Sequence, residues 1–493
     1  MRTAILLLVW LLLSLPAHAQ DPASSDFVKI RELLKEGPPA YDAEQAGSWA
    51  QEITPLVERV AGRKFREPTK IEVADREKVG AALRRDLIPQ LKGLMPNSDE
   101  EELTSTADLQ ARTMAMFMLA KYGTTDKTVY LLPCNVRPLI RLCGESEEHA
   151  DAIVKLILAH ELTHALQDQE LGLGQRLARI VEIDESQAFN ATIEGHAVFV
   201  QELVGMELKL NDAVTQASRM LSAGAVTFDD PALEIQGKMI ARQFEQIYLG
   251  GREFVAFYFE EGGNDSVWEV LAAPPTATSM IAKPETYEPG KRASADYASI
   301  FLGLEKDFGD RKWTTQNSQL GDLMLRSMYA PLGGHACGEI LNSIVTAQTF
   351  VASDPNPFKT VMGNVTLFLL RDATAGPKIV SLLESLAKKN VEQLKESGTM
   401  KVIDFVIEDC LGIKADVARR VSFTIVAPSD KSRPGLFVDI DEKGQPGGVK
   451  TQIVRALRKN VLLELADIGV GLDDKMIAAI LEKTFSRCSQ LID

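Results

Sequence analysis

The sequence predicts an α+β protein that is predominantly helical and ends in a small α+β unit. Apolar residues recur at helical spacing through most of the first 400 residues. Strand-like runs are short and scattered there, as at Lys70–Val73 and Thr128–Leu132. A content of 45% hydrophobic and 25% charged residues is typical of folded globular proteins, which excludes disordered, collagen-like and coiled-coil chains.

The first residues have the composition of an export signal. Arg2 precedes a 13-residue apolar run, Ala4–Pro16, and Ala17-His18-Ala19 follows as a small-x-small cleavage pattern. Thirteen residues in a helix are too short for the ~30 Å hydrocarbon core of a bilayer. We therefore predict a signal peptide over residues 1–19, cleavage after Ala19, a secreted or periplasmic location, and no stable membrane insertion of the mature chain.

The next region, residues 20–397, reads as helices joined by a few short strands. Asp75 is placed to cap one helix, and Pro55 lies within the apolar pattern of another. A strand is also predicted at Val365–Leu370, and the prolines of 271–292 predict a loop-rich segment. Helices are expected over 26–37, 41–62, 76–94, 108–121, 147–169, 184–208, 213–261, 316–329, 337–351 and 378–397.

We place a second boundary between residues 397 and 398, where the sequence pattern changes. The final unit, 398–493, contains alternating or β-branched runs and two segments with helical periodicity, with Asp473 as a helix cap. Strands are predicted over 401–408, 421–426 and 435–440, and helices near 447–466 and 473–486.

Charge and cysteine content limit the classes of partner and of metal site. The net charge of −15 argues against nucleic acids and anionic lipid surfaces, which both require basic patches. The five cysteines form no CxxC pair, so they do not predict a zinc ribbon. Cys134 and Cys143 lie nine residues apart. Whether they form a disulfide stays open, because sequence spacing does not fix the distance between their Cα atoms.

Two of the six histidines stand four residues apart in the run His160-Glu161-Leu162-Thr163-His164. The run lies within a segment of helical periodicity, so both imidazoles fall on one helix face about 6 Å apart. That spacing allows both histidines to bind one zinc ion. Glu161 is turned about 100° from His160, which suits it to hold a water molecule rather than the metal.

A catalytic zinc ion usually takes three protein ligands, so one more is expected downstream. The candidates on the next predicted helix are Asp184, Glu185, Glu194 and His196. Glu194 is preferred because it lies in an apolar and small-residue stretch, 191–200, where a carboxylate is costly unless it is paired or binds a metal. Gly195 would let its helix approach another closely. Asp184 and Glu185 are interpreted as solvated charges at a helix start.

These residues resemble a group of secreted bacterial zincin-like proteins with HExxH…E ligation of the gluzincin type. The most specific part is Ile157–Gln169 (ILAHELTHALQDQ) with the later Glu194-Gly195 pair. Further similar segments follow in the same order, so that the resemblance covers about residues 60–395: Pro274–Tyr287, Gln319–Leu325 and Val365–Asp372. The resemblance implies a zincin-like catalytic region, zinc held by His160, His164 and Glu194, and Glu161 as general base.

The predicted function is that of an exported zinc metallopeptidase acting on a peptide or protein substrate. In such a reaction Glu161 takes a proton from the attacking water and gives it to the leaving amine. The oxyanion needs a further hydrogen-bond donor, for which His335 and Tyr287 are the candidates. The alternative is a zinc-binding envelope protein without turnover, because a fold does not fix an activity.

Overall fold

The computed structural model describes residues 35–94, 99–221, 242–290, 297–354, 361–397, 401–426 and 448–489. They form a predominantly helical α+β protein, which confirms the predicted fold class. The predicted signal peptide, the strand over 435–440 and most of the helix over 26–37 lie outside the described residues. No helix in the described ranges is long and apolar enough to cross a membrane.

The chain divides into two compact units with a boundary between residues 293 and 294. In the first, the strands are β1 (Lys70–Val73), β2 (Ala120–Gly123) and β3 (Thr128–Leu131). Its α-helices are α1 (Ala43–Ala61), α2 (Arg76–Leu94), α3 (Glu100–Met116), α4 (Val136–Leu142), α5 (Ala150–Leu171), α6 (Leu173–Leu177), α7 (Ile183–Glu207), α8 (Asn211–Leu221), α9 (Gly251–Ala272) and α10 (Thr278–Ala282). The strand order is β1-β3-β2, with β1 parallel and β2 antiparallel to β3, so that β2 is an edge strand.

Helix α1 shows how the sequence sets the helix ends in this unit. The Asp42 carboxylate accepts from the Gln45 N–H at the start, and Gly62 ends the helix at φ 66°. The helix runs through Pro55 and buries Trp49 and Ile53 in the core. Asp75 likewise caps α2, as predicted, by accepting from the Lys78 N–H at 2.8 Å.

Helices α5 and α7 are buried over most of their length, which explains why their sequences are apolar on several faces. A π-helical turn, Gln246–Gly250, leads into α9, which is itself broken at Gly262–Gly263. A Cβ atom on Gly195 would lie 2.1 Å from the carbonyl carbon of Gly251. The two backbones are therefore in direct contact, and this confirms the predicted role of Gly195.

The second unit is built on one seven-stranded antiparallel sheet in the order β4-β5-β6-β10-β9-β8-β7. Its strands are β4 (Thr314–Gln319), β5 (Ile344–Ser353), β6 (Met362–Leu370), β7 (Lys401–Asp409), β8 (Val417–Val426), β9 (Val449–Arg458) and β10 (Val461–Ile468). The helices are α11 (Asp322–Tyr329), α12 (Gly334–Ser343), α13 (Gly376–Ser397) and α14 (Asp474–Arg487). One apolar core packs against α14 and another against α11 to α13, so the central strands are covered on both faces.

The predicted boundary between residues 397 and 398 is wrong. Strand β6 precedes it and β10 follows it, yet the two strands pair along their whole length, from Val461 opposite Leu369 to Ile468 opposite Met362. This pairing places residues from both sides of the predicted boundary in one sheet and one compact unit. The unit that begins near residue 294 therefore contains everything that we assigned to a separate C-terminal unit.

Several predicted helices are partly strands. The segment 447–466 forms the β9–β10 hairpin, the second half of 337–351 belongs to β5, and the start of 316–329 belongs to β4. The end of 108–121 enters β2. The remaining predicted strands and the helix at 473–486 are confirmed, the latter with Asp473 accepting from the Met476 N–H at 2.8 Å.

The five cysteines are all free thiols, so a 134–143 disulfide does not form. Cys134 lies before α4 and Cys143 directly after it. Seven helical residues separate the two ends by roughly 10 Å at 1.5 Å per residue. That separation exceeds the roughly 7 Å limit for the Cα atoms of a disulfide.

Candidate metal centre

The structure brings together the three residues that were predicted to bind zinc. Nε2 of His160 lies 3.1 Å from Nε2 of His164 and 3.1 Å from Oε2 of Glu194. Nε2 of His164 lies 3.3 Å from the same Glu194 oxygen. The side chains are buried, with α5 supplying both imidazoles and α7 the carboxylate.

This spacing fits a single small cation. Zinc binds imidazole nitrogen at 2.0–2.1 Å in tetrahedral sites, and the edge of such a tetrahedron is about 3.3 Å. The three ligand atoms are 3.1–3.3 Å apart, so that one ion can reach all of them without movement of the helices. Two histidines and one glutamate are also the donor set of several catalytic zinc sites. The group could therefore hold a metal ion.

Gln167 fixes the orientation and the tautomer of His164. Its amide nitrogen donates to the Ile193 carbonyl at 3.0 Å and to Nδ1 of His196 at 2.9 Å. Its amide oxygen therefore accepts the proton on Nδ1 of His164, at 2.9 Å. In the neutral imidazole this leaves a lone pair on Nε2 of His164 that points at the ligand group, which is the tautomer a metal requires.

His196 stands behind His164 instead of joining the ligand group. Burial first, and then the nearby His164, lower the pKa of His196 to about 3, so this imidazole is neutral. Its Nδ1 accepts from Gln167, and its ring packs edge-on against Trp268. As a candidate ligand it is therefore excluded, and its position next to Gln167 makes it a support for His164.

Glu161 faces a small open cavity that His164 and Glu194 also line. Its Oε2 accepts from the Tyr122 N–H at 2.5 Å, which ties this carboxylate to the edge strand β2. The Tyr122 hydroxyl in turn donates to Asp168 at 2.8 Å, and Asp168 lies one turn after His164. Strand β2 is thus anchored to α5 within the HExxH run and again one turn beyond it.

The two acidic residues at the start of α7 do not join the ligand group. Asp184 is buried and accepts from both the N–H and the hydroxyl of Thr278 at the first turn of α10. Our interpretation of Asp184 as a solvated charge is wrong, because its carboxylate acts as a buried helix cap. Glu185 is half-buried and belongs to the same first turn of α7.

The two candidates for the oxyanion donor receive no support. The Tyr287 hydroxyl donates to the Ala273 carbonyl, and its ring packs against Phe254 and Tyr258. His335 belongs to the second unit, where its side chain is 92% exposed and lies 3.6 Å from Glu339. Its catalytic role stays a prediction that the structure does not test.

Tyr248 is the functional candidate that sequence reasoning missed. It lies in the π-helical turn that the Gly195–Gly251 contact holds against α7, and its ring stacks on His160 at 6.2 Å. Burial first, and then the charges of Glu194 and Glu161, raise its pKa well above the usual value. Its hydroxyl therefore keeps its proton and lies beside the Glu194 carboxylate, to which it can donate a hydrogen bond.

No protein-family model matches the chain, and no curated protein matches it. Among solved structures it is similar to a protein of Chloroflexus aurantiacus described as "a putative hydrolase with a novel fold". The two are 20% identical over 52% of this chain and 93% of the other, with a TM-score of 0.36. A TM-score of this size does not establish a common fold.

Proposed function

We propose that this chain is a zinc-dependent metallopeptidase, a hydrolase of peptide bonds. The observation that carries the proposal is the convergence of His160, His164 and Glu194 to within 3.3 Å, with Glu161 in the same open cavity. A buried metal site with two histidines, one glutamate and access to solvent is the arrangement of catalytic rather than structural zinc. The earlier resemblance to zincin-like proteins points to the same chemistry.

The proposed roles of the residues follow from their contacts. Zinc, when bound, supplies Lewis acidity that polarises the substrate carbonyl and lowers the pKa of a water molecule toward roughly 7. Glu161 takes the proton of the attacking water and passes it to the leaving amine. The Tyr122 N–H, which donates to Glu161, holds the carboxylate toward the cavity during this transfer.

Tyr248 is proposed to donate a hydrogen bond to the oxyanion. It is a neutral phenol beside Glu194, and it would turn its proton from that carboxylate to the oxyanion. The negative charge on this oxygen develops only in the transition state. A buried donor that contacts it therefore accelerates the reaction more than it strengthens substrate binding. This assignment replaces Tyr287, whose hydroxyl is already engaged with Ala273.

The test combines zinc content with cleavage of a broad peptide library that includes cell-wall peptides. Wild type should bind about one zinc ion per chain and cleave part of the library. Glu161→Gln should retain zinc and lose nearly all turnover. Glu170→Gln makes the same chemical change on the same helix, where the carboxylate pairs with Arg66, and should leave turnover unchanged.

Two results would contradict the proposal. Native chain that stays free of metal after zinc reconstitution would remove the basis of the chemistry. A zinc-loaded wild type that cleaves nothing in the library would instead favour the alternative, a zinc-binding envelope protein without turnover.

The proposal includes export of the chain to the periplasm or medium, which the sequence of residues 1–19 supports. Mass spectrometry of protein expressed in a Gram-negative host should then find a mature chain that begins at Gln20. An intact Met1 on protein in the soluble cytosolic fraction would contradict this part.

A further inference from the structure

Helix α5 carries a second buried carboxylate on the face that holds the proposed general base. Glu161 and Asp168 stand seven residues apart, which is about two helical turns, so both side chains leave the same face of α5. Glu161 is 4% exposed and Asp168 is 5% exposed. Because a buried carboxylate is costly without hydrogen-bond donors, the partners of these two groups show what each one holds in place.

One residue of strand β2 supplies a donor to each of these carboxylates. The Tyr122 N–H donates to Oε2 of Glu161 at 2.5 Å, and the Tyr122 hydroxyl donates to Oδ2 of Asp168 at 2.8 Å. Burial first, and then the charge of Asp168, raise the pKa of this hydroxyl above its usual value, so it keeps its proton and acts as the donor. Tyr122 is therefore tied to α5 both at its backbone and at the tip of its side chain.

Asp168 also binds the turn that joins β2 to β3. Its Oδ2 accepts from Nζ of Lys127 at 2.5 Å, and Lys127 directly precedes the first residue of β3. The ammonium group compensates the charge of the buried carboxylate. Asp168 thus fixes two points of the hairpin, one in strand β2 and one in the turn, against the helix that carries Glu161.

We infer that Asp168 is a positioning residue for the reaction, which holds Tyr122 so that the Tyr122 N–H fixes the Glu161 carboxylate. The inference rests on the proposed peptidase function and deepens it. A general base must stay within hydrogen-bond reach of the attacking water, and a displacement of about 1 Å can lower the rate by about 10²-fold. Strand β2 lies at the edge of its sheet and pairs with β3 on one side. Asp168 secures this strand to α5 in addition to that pairing.

The first experiment removes the Tyr122 hydroxyl and leaves the backbone N–H in place. In zinc-loaded protein, Tyr122→Phe should lower kcat about tenfold and keep KM within about twofold, as expected for the loss of one hydrogen bond to a charged group that orients the base. Tyr130→Phe is the matched control, because its hydroxyl makes the same kind of bond, to Asp126 at 2.7 Å, from the neighbouring strand β3. It should leave kcat unchanged, and equal kcat in the two variants would overturn the inference.

Substitutions of Asp168 test the other end of the same hydrogen bond. Asp168→Asn keeps an oxygen that can accept from the Tyr122 hydroxyl, so it should retain kcat within about threefold of wild type. Asp168→Leu has no acceptor and should lose about as much kcat as Tyr122→Phe does. Full kcat in a folded Asp168→Leu protein would contradict the positioning role. If this variant does not fold, the two tyrosine variants still decide the question.

A double-mutant cycle tests whether the hydroxyl acts through Glu161. The residual turnover of Glu161→Gln does not use a base at position 161, so adding Tyr122→Phe should change that turnover by less than about twofold. A further loss of about tenfold in this background would mean that Tyr122→Phe damages the site in some other way, and the inference would be wrong.

Hydrogen exchange of the amide at residue 122 separates this inference from the proposed function, because it needs no turnover. The Tyr122 N–H should be protected in wild type and should exchange at least about tenfold faster in Tyr122→Phe, but not in Tyr130→Phe. If protection falls in this way and no peptide is cleaved, the positioning contact stands and the proposed function is wrong. If peptides are cleaved and the protection is the same in all three proteins, the proposed function stands and the positioning role of Asp168 is wrong.

Discussion

Two buried carboxylates, Glu194 in the first unit and Asp467 in the second, are satisfied in opposite ways. Asp467 is surrounded by donors: the N–H groups of Val470, Gly471 and Leu472 at 2.9, 3.2 and 2.7 Å, and the Gln452 amide at 2.9 Å. Four donors from its own hairpin and the following loop satisfy the hydrogen-bonding capacity of this carboxylate, so it needs no further partner.

Glu194 instead converges with two imidazoles. Its Oε2 lies 3.1 Å from Nε2 of His160 and 3.3 Å from Nε2 of His164. These three atoms form an acceptor-rich group, because each can offer a lone pair to a cation. The comparison teaches that the kind of partner, rather than burial itself, distinguishes a site for a cation from a structural network.

The largest expected effect is that of removing the carboxylate from the acceptor-rich group. Glu194→Ala should lower zinc affinity by a factor on the order of 10³ or more, because two histidines alone leave a tetrahedral ion short of ligands. A competition titration with a chromophoric chelator measures this. Glu185→Ala, on the same helix but outside the group, should bind zinc as wild type does; unchanged affinity in Glu194→Ala would show that the ligand set is different.

A smaller effect on zinc affinity is expected for a residue that contacts a ligand side chain without binding the metal itself. Gln167→Leu removes the hydrogen bond that fixes the His164 tautomer, and should lower zinc affinity by about 10- to 100-fold. Gln169→Leu is the control, because Gln169 lies two residues later and binds the backbone of Arg66 and Glu67 at the surface. The assignment fails if both glutamine variants bind zinc equally well.

The same two regions show what could be predicted from sequence. The metal group was predictable because His160 and His164 are set by local helical spacing, and because Glu194 is a lone acid in an apolar stretch of α7. The donors to Asp467 could not be predicted, since three of them are backbone N–H groups without a residue signature. Tyr248 was also missed because it depends on a π-helical turn and on the tertiary contact between Gly195 and Gly251.

The errors in the second unit have a common physical cause. Strands β5, β9 and β10 are covered on both faces, so most of their residues are buried and the alternation that marks a strand is lost. A buried segment without clear alternation cannot be distinguished from a helix by periodicity. The β9–β10 turn also lacks glycine, with Lys459 at φ 49°, so the usual hairpin signal is absent.

Tyr248→Phe should separate the effect of a substitution on catalysis from its effect on metal binding. Loss of one oxyanion donor typically lowers kcat by about 10²-fold or more, and this loss should persist in protein that is fully loaded with zinc, because the phenol is not a ligand. Tyr287→Phe is the matched control and should leave kcat unchanged. Should the two variants show equal kcat, or should Tyr248→Phe lose zinc, the donor role proposed for Tyr248 would be wrong.

Asp467→Ala should leave zinc affinity unchanged while it destabilises the second unit. The substitution leaves the N–H groups of Val470, Gly471 and Leu472 without their acceptor. The free energy of unfolding should therefore fall by about 3 kcal/mol, in the range for buried polar groups that lose a partner.

Zinc at about 1,000 times its dissociation constant stabilises a folded site by about 4 kcal/mol. Calorimetric unfolding with and without zinc should show that stabilisation in both proteins, and only the transition of the second unit should move with the substitution. If zinc binding were lost in Asp467→Ala, the donor-saturated carboxylate would be coupled to the metal group, and the distinction between the two regions would fail.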